Sequence, residues 1–322
     1  MPWTGRFATV RMICRPSKIV GLLFVLGAAF AAPGQARSAV PFDVRSPFRT
    51  PLPKVVHVDP GSAAAVAALV KTGLGINLNT GAWTPTVFRA TGREALQVVR
   101  MADGYELRVP MPPAAVPSAD TDGGMEIQDT VRGCAYDFFR AARAADGSWT
   151  ARGSVVFRLR GSGVHHGWST RASGFALGAG LITPADVRAG VIKHALVIGI
   201  PRTSPIVRLP ATTSDGRDPG GLPMGAHLQL DPGFETSQLP PDQRPIAQAM
   251  KRYGVFVGET SGAIALYAQN TASTGGFRYP SSWSQGLSHG PEIVAHLRLL
   301  PAPAAVRLDT TPTSTCTAKR KR

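Results

Sequence analysis

The chain has 322 residues, of which 35 are lysine or arginine and 20 are aspartate or glutamate, giving a formal net charge of +15 at pH 7. That length is ample for a real hydrophobic core, and the basic balance would suit nucleic acid, acidic lipid or acidic polysaccharide. Because no zinc finger, helix-turn-helix or RNA-binding aromatic motif is present, we expect no nucleic-acid partner. The alternative, a solvated basic surface with a frayed tail at Lys319–Arg322, stays open.

The first 36 residues have the organisation of a secretory signal peptide. Four basic and no acidic side chains precede a near-continuous apolar run, Ile19–Ala32, and Gly34 and Ala36 place small residues where signal peptidase requires them. A retained membrane anchor is the alternative, but the run is shorter than the roughly 20 residues needed to span a bilayer. We therefore predict cleavage near Ala36, a secreted or periplasmic mature protein, and no stable membrane insertion after cleavage.

Behind this leader the sequence predicts one domain with two short extensions. Residues 37–58, rich in proline and arginine, are predicted to form an extended lead-in. Residues 59–305 are predicted to form a single β-sandwich domain, and 306–322 a basic C-terminal tail. The loop at 110–124 is not predicted to be a domain linker, because strand-like residues follow it directly.

Helical signals are few and strand signals are many. Helices are predicted at 59–73 and 183–190, where a capping residue and a proline precede helix-forming residues. A third helix is predicted at 242–253, where apolar residues keep helical spacing and Gly254 ends the run. Short strands are predicted at the apolar or alternating runs 86–88, 96–99, 125–128, 134–139, 149–159, 195–200, 255–257, 263–268 and 293–300. This pattern predicts a mainly β fold, a jelly-roll-like β-sandwich with two or three short helices.

The cysteines predict one disulfide. Cys14 leaves with the predicted signal peptide, so Cys134 and Cys316 remain as a pair in an oxidising compartment. A bridge between them would tie the C-terminal tail to the middle of the domain. The alternative is two unpaired thiols.

A pair of acidic residues is the leading catalytic candidate. If the apolar residues of 125–128 and 134–139 share one face of a hairpin, the numbers of paired residues must sum to an odd total. The shortest good register pairs Glu126 with Asp137, about 5 Å apart at Cβ. Two like charges so close destabilise a sheet, and a general acid and base or nucleophile acting on a glycosidic bond would explain them. A bound cation or a neighbouring arginine would also offset the repulsion. With another register, both acids would simply face water.

Further candidates rank below this pair. His194 lies on the apolar side of its strand, where a core histidine is the alternative to a catalyst. Asp215 is a second catalytic candidate, and its alternative role is ordinary turn chemistry. Exposed aromatic side chains stack on sugar rings, although many only pack the base of a loop. The residues proposed to bind substrate are Tyr136, Trp168, Arg217 and Glu259.

Neither a metal nor a cofactor is predicted. The sequence contains no Gly-x-Ser-x-Gly motif, phosphate-binding loop or dinucleotide fingerprint. No group of cysteine, histidine and aspartate has the spacing of metal ligands.

Six segments of the chain carry a family pattern. They are Tyr136–Phe138, Gly190–Leu196, Ala211–Gly216, Leu222–Pro232, Arg252–Gly254 and Glu259–Gly262. Together they resemble a family of secreted bacterial proteins that lacks a firm assigned activity. The resemblance covers most of residues 75–270 and implies a jelly-roll-like domain of the kind found in polysaccharide-degrading enzymes.

Two positions depart from that family pattern. Asp122-Gly123-Gly124, close to Glu126, stands where an Asp-Gly-His-like segment is expected, and Glu259 stands where aspartate is expected. A weakened acid or base at either place would compromise catalysis.

These observations predict an exported glycan-active protein, a polysaccharide hydrolase or lyase that uses a carboxylate pair. Its expected partner is a polysaccharide or other glycan, and an acidic glycan is one candidate. The alternatives are a non-catalytic glycan-binding protein of the same fold and an envelope protein that uses its basic surface on anionic polymers.

Overall fold

The computed structural model describes Met1, residues 42–309 and Cys316. The predicted signal peptide, residues 1–36, and the basic tail beyond Asp309, apart from Cys316, lie outside the described residues. The described residues from 42 onwards belong to one compact unit, Ser38–Arg322. In this described part of the chain, no helix is both long and apolar enough to cross a membrane.

The described chain is mainly β, as predicted, with sixteen strands and four α-helices. The helices are α1 (Ser62–Val70), α2 (Pro184–Ala189), α3 (Arg244–Arg252) and α4 (Gly290–Ala295). The strands are β1 (Ile76–Asn79), β2 (Thr86–Ala90), β3 (Leu96–Met101), β4 (Glu106–Pro110), β5 (Met125–Asp129), β6 (Cys134–Phe139), β7 (Ala142–Arg143), β8 (Trp149–Ala151), β9 (Gly153–Arg158), β10 (Leu196–Ile200), β11 (Thr203–Val207), β12 (Leu222–Met224), β13 (His227–Leu230), β14 (Val255–Thr260), β15 (Ile264–Tyr267) and β16 (Leu297–Leu299).

The strands form three main sheets. The largest has the order β1-β15-β10-β14-β13-β16, a second has the order β2-β5-β6-β9, and a third has the order β4-β3-β8-β7. A short two-stranded sheet joins β11 and β12. Each main sheet is mixed, because β1 and β15, β10 and β14, β2 and β5, and β3 and β8 pair in parallel.

The β2-β5-β6-β9 sheet is the middle layer. One of its faces contributes Ile127 and Tyr136 to a core shared with Val99 and Trp149 of the third sheet. Its other face contributes Phe157 to the larger core built on the six-stranded sheet. A sheet covered on both sides buries even the polar residues of an alternating strand, and every residue of β5 is buried.

The three predicted helices are confirmed as α1, α2 and α3. α2 begins with a capping box, in which the Thr183 hydroxyl accepts the Asp186 N–H and the Asp186 carboxylate accepts the Thr183 N–H. The predicted strand at 293–300 is wrong in its first part, which belongs to α4. Pro291 in the first turn favours that helix, and the strand begins only at Leu297.

The two predicted extensions both contact the domain. In the N-terminal one, the Phe48 ring packs edge-on against Phe175 at 5.0 Å and Phe256 at 5.5 Å between ring centroids. In the C-terminal one, the Asp309 carboxylate accepts the backbone N–H groups of Ser162 and Gly163 at 2.9 and 3.0 Å.

The predicted disulfide is confirmed. Cys134 and Cys316 are bonded, with their Cα atoms 5.9 Å apart. The Cys316 carbonyl also accepts a hydrogen bond from the Tyr136 hydroxyl at 2.9 Å, so the disulfide and this hydrogen bond both hold Cys316 against β6.

Candidate functional site

The predicted register of the acid pair is confirmed: β5 and β6 are antiparallel, with Glu126 opposite Asp137 and Ile127 opposite Tyr136. The polar face of this hairpin, however, does not face solvent. Glu126 and Asp137 both have 0% exposed surface, because the chain around residues 177–178 covers them. Alternation in the sequence identified the shared face but not its burial.

The backbone of the covering segment binds this pair. The Gly178 N–H donates to Glu126 Oε2 at 2.7 Å, and the Leu177 N–H donates to Asp137 Oδ2 at 2.6 Å. Gln128 Nε2 donates to Glu126 Oε1 at 2.6 Å. Burial raises the pKa of Asp137 well above its usual range, and the charge of Glu126 raises it further. Asp137 therefore favours its protonated form.

Arg171 continues this network on the other side of the covering segment. Its side chain is 2% exposed, and its Nη atoms donate to the carbonyls of Ala179 at 3.0 Å and Leu177 at 3.2 Å. Its Nε lies 3.2 Å from Glu259 Oε1. Contacts thus run continuously from the buried pair, through the backbone at 177–179 and Arg171, to Glu259.

Glu259 opens into a cleft of about 910 Å³. The cleft lies beside the middle and six-stranded sheets, and β1, β6, β14 and β15 each contribute to its wall. Its charged lining residues are Asp120, Asp122, Arg171, Asp215 and Glu259, and its large aromatic ones are Trp83, Phe138, Phe139, Trp168 and Tyr267. Carboxyl groups and exposed aromatic rings are therefore brought together on one concave surface.

The position of Glu259 depends on local irregularity in the sheet. It lies opposite Gly199 just after the pairing of β10 and β14 shifts register, and such irregularities re-aim side chains next to active sites. A Cβ on Gly199 would lie 2.2 Å from the Tyr267 hydroxyl, so only glycine leaves room for that ring. The Arg171 guanidinium lies 5.6 Å from the centre of the Tyr267 ring, within cation–π range.

Glu259 is enclosed but reachable. Its side chain retains 26% of its surface. Burial raises the pKa of Glu259 to about 7; Arg171 opposes the rise, and the charges of Asp215 and Asp122 add to it. At neutral pH about half of these carboxyl groups would carry a proton, which is the condition that a general acid needs.

Asp215 is the closer electrostatic partner of Glu259, since its charge raises the pKa of Glu259 more than that of Asp122 does. Asp215 is exposed and accepts a hydrogen bond from Thr260 Oγ1 at 2.5 Å. Thr260 follows Glu259 directly in β14, so the strand end that carries the acid also orients the second carboxylate.

The loop at 118–124 forms another part of the wall. The Asp120 carboxylate accepts the Trp83 N–H at 2.6 Å, the Asp122 N–H at 3.0 Å and the Ser118 hydroxyl at 3.1 Å. Trp83 has a left-handed backbone with φ 59°, and its side chain is exposed. Asp120 therefore fixes the backbones of both Asp122 and Trp83 in this part of the wall.

Trp168 lies on the same cleft and is 58% exposed. Its ring packs on Gly153 of β9, where a Cβ would approach the ring to 2.4 Å. The neighbouring Ser169 is only 7% exposed, and its Oγ has no hydrogen-bond partner. The wall thus presents a fixed aromatic ring, with an unpartnered hydroxyl buried next to it in sequence.

The remaining predicted residues lie away from this cleft. His194 is 3% exposed, with its ring nitrogens 2.9 Å from the Ala195 carbonyl and 3.4 Å from Asp186 Oδ2, so it is placed as a core histidine. Tyr136 lies in the core beside the disulfide. Arg217 lines an adjoining depression of about 630 Å³ that shares Asp215 and Thr260 with the cleft, but it does not line the cleft itself.

The structure therefore brings together Asp215, Trp168 and Glu259 from the predicted set. Sequence reasoning missed Trp83, Asp120, Arg171 and Tyr267 as members of the site. The Asp-Thr-Asp-Gly-Gly run at 120–124 is a signal that could have found the acidic loop, since it places two carboxylates in a turn. Nothing in the sequence singles out Arg171. Among the residues that the structure describes, no cluster of three or more His, Cys, Asp or Glu side chains could hold a metal ion.

No protein-family model matches this chain, and neither does any curated protein or solved structure with which it was compared.

Proposed function

We propose that this protein is exported and cleaves a glycan in the cleft that contains Glu259. The observation that carries the proposal is the convergence of reachable carboxyl groups and two exposed tryptophans, Trp83 and Trp168, on one concave surface. Aromatic rings stack on sugars, and a protonated carboxyl group beside an ionised one is the usual machinery of glycosidic cleavage.

Each carboxyl group has a distinct proposed role. Glu259, protonated near neutrality, donates its proton to the glycosidic oxygen as that bond breaks. Asp215 then acts on the opposite side, either as the nucleophile or as the base that takes a proton from water. Arg171 is a positioning residue, because its charge and its bonds to two carbonyls hold the Glu259 carboxyl in place.

Hydrolysis is favoured over elimination. A lyase removes a proton next to a sugar carboxylate and needs a cation to neutralise that carboxylate. The one basic side chain in the described lining of the cleft, Arg171, is already bound to Glu259 and to two carbonyls.

A catalytic role for Glu126 and Asp137 would require a substrate to reach side chains with no exposed surface. We therefore assign them a positioning role: they hold the backbone at 177–178, which in turn binds Arg171.

The finer fold assignment is also a proposal. Two of the stacked sheets, with a cleft beside them, would suit a jelly-roll-like sandwich of the kind that the family resemblance implies. The parallel pairs within each main sheet depart from the purely antiparallel pattern. We therefore describe the domain as a modified jelly roll with a third sheet added.

A polysaccharide panel tests the function. Purified protein is incubated with neutral, cationic and anionic polysaccharides, and products are detected by mass. We expect new chain ends from at least one polymer, with turnover reduced in Trp168→Ala and unchanged in the control Tyr105→Ala, an exposed aromatic residue outside the cleft. Binding that depends on Trp168 without any product would instead favour the non-catalytic glycan-binding protein.

A further inference from the structure

The charge of the cleft is opposite to that of the chain as a whole. The chain has a formal net charge of +15, yet four of the five charged residues that line the cleft are acidic. The fifth, Arg171, has its guanidinium committed to Glu259 and to the carbonyls of Leu177 and Ala179. Among the described lining residues, no basic side chain is therefore left to bind a sugar carboxylate or sulfate.

The cleft contains two more carboxyl groups than the proposed cleavage needs. Glu259 and Asp215 supply the acid and its partner, so neither Asp120 nor Asp122 takes a direct part in breaking the bond. Asp120 is bound by three donors and shapes the loop. Asp122 is exposed to the cleft, and both burial and the charge of Asp120 raise its pKa. Arg140 acts in the opposite direction, but it does not line the cleft.

An exposed indole lies in the same wall. Trp83 is 54% exposed, and its backbone N–H is fixed by the carboxylate that also holds Asp122. The face of an indole attracts a cation as well as stacking on a sugar ring. Asp120 and Asp122 line the same cleft as this exposed ring, and that combination matches a sugar that carries a positive charge. Ser169 also lines this cleft, and its nine-tenths buried side chain has an Oγ without a hydrogen-bond partner.

We propose that Asp120, Asp122 and Trp83 form a subsite for the protonated amine of an amino sugar, so that the glycan bound in this cleft contains unsubstituted glucosamine-like units. This inference rests on the proposed function, because it assumes that the cleft binds a glycan. It also replaces the acidic polysaccharide of the sequence-based expectation with one of opposite charge.

Matched oligosaccharides test the subsite. Binding of a glucosamine hexasaccharide, an N-acetylglucosamine hexasaccharide and a galacturonic acid hexasaccharide to the full chain is measured by calorimetry at mildly acidic pH. We expect the glucosamine polymer to bind at least about tenfold more tightly than the other two, since like-charge juxtaposition disfavours the anion and complementary charge favours the cation. Its affinity should fall with added salt, whereas that of the N-acetylated polymer should not.

A substitution at Asp122 tests whether this residue causes the preference for glucosamine. Asp122→Asn should reduce the ratio of the glucosamine affinity to the N-acetylglucosamine affinity by roughly tenfold. The matched control Asp103→Asn, at an exposed turn outside the cleft, should leave that ratio unchanged. If Asp122→Asn fails to fold, the salt dependence of the wild-type protein still decides the matter.

The outcomes distinguish a failure of the amine subsite from a failure of the proposed glycan cleft. Equal or tighter binding of the neutral or anionic hexasaccharide, lost in Trp168→Ala, would overturn the amine subsite and leave the glycan cleft standing. A ratio that is unchanged in Asp122→Asn would also overturn the subsite. Failure of all three sugars to bind or to be cleaved would overturn both.

Discussion

Asp137 and Glu259 are both carboxyl groups with a raised pKa, but one is covered by the backbone at 177–178 and the other opens into a cleft. Asp137 has no exposed surface and faces Glu126 across a hairpin. Glu259 retains 26% of its side-chain surface and faces Arg171. Burial is the largest cause of the shift in both, so the shift alone does not tell a structural acid from a reactive one.

Asp137 and Glu259 differ in the groups that contact each carboxyl group. The pair of Glu126 and Asp137 is bound by backbone N–H groups and by a neighbouring amide, and it holds a proton within the protein. Glu259 has an arginine on one side and the cleft on the other, so a substrate can take its proton. Perturbed carboxyl groups indicate function only where a substrate can reach them.

The largest expected effect is on catalytic turnover, which should depend strongly on Glu259 and only weakly on Asp137. Glu259→Gln should reduce turnover on an identified glycan by about a hundredfold or more, because it removes the general acid. Asp137→Asn should retain most of the turnover, since an amide keeps an acceptor for the Leu177 N–H and a donor toward Glu126. Steady-state rates of both variants, with Glu106→Gln as a surface control, measure this. Loss of turnover in Asp137→Asn with a normal rate in Glu259→Gln would reverse the assignment.

A second effect concerns stability. Asp137→Ala should lower the free energy of unfolding by roughly 1–3 kcal/mol, because the Leu177 N–H is left buried without an acceptor. Asp137→Asn should lower it by less, and Glu259→Ala, at a partly open site, should also cost less than Asp137→Ala. Urea denaturation of the three variants checks the order. Equal losses at both positions would argue that the cleft acid is as structural as the buried one.

The pH dependence of stability follows from the same shifts. The folded protein holds a proton on Asp137 that the unfolded chain, with an ordinary pKa of 3.8, releases. This contribution to stability is complete below pH 3.8 and is lost as the pH rises through the raised pKa. Glu259 acts in the same direction between its ordinary 4.5 and about 7.

Denaturation curves across that pH range should therefore show a free energy of unfolding that falls less steeply in Asp137→Asn than in the wild-type protein. A parallel pH profile in the two proteins would show that Asp137 does not hold the proton.

The smallest expected effect is electrostatic. Asp215→Asn should lower the pKa of Glu259 from about 7, because the charge of Asp215 helps to raise it. Asp231→Asn, on an exposed side chain outside the cleft, should leave it unchanged. Carbon-13 NMR titration of the side-chain carboxyl groups gives both values without a substrate. An unchanged Glu259 pKa in Asp215→Asn would remove Asp215 as its partner.

Local patterns predicted much of the fold. The parity of apolar residues in β5 and β6, together with the shortest hairpin that this parity permits, placed Glu126 opposite Asp137, as the structure confirms. A capping residue and proline located α2, and the helical spacing of apolar residues located α3. α4 was missed because Ile293 and Val294, in a single helical turn, resemble a short strand.

The site was less predictable, because long-range packing decides it. Alternation indicated a polar face on β5, but the backbone at 177–178, about fifty residues away in sequence, covers that face. Glu259 was proposed as a binding residue without any sign that it would be the reachable acid. Arg171 was missed, since an isolated arginine in a loop carries no pattern that predicts its burial.

The central claim is that Glu259, and not the buried pair, is the acid that meets a glycan. The measurement that tests it most directly is a carbon-13 carboxyl titration of the wild-type protein with and without a bound oligosaccharide. The account predicts that Glu259 titrates at about 7 and that its resonance and pKa move when the sugar binds, while those of Asp137 do not. A Glu259 that titrates near its ordinary 4.5, or that does not respond to a sugar that shifts Asp137, would contradict it.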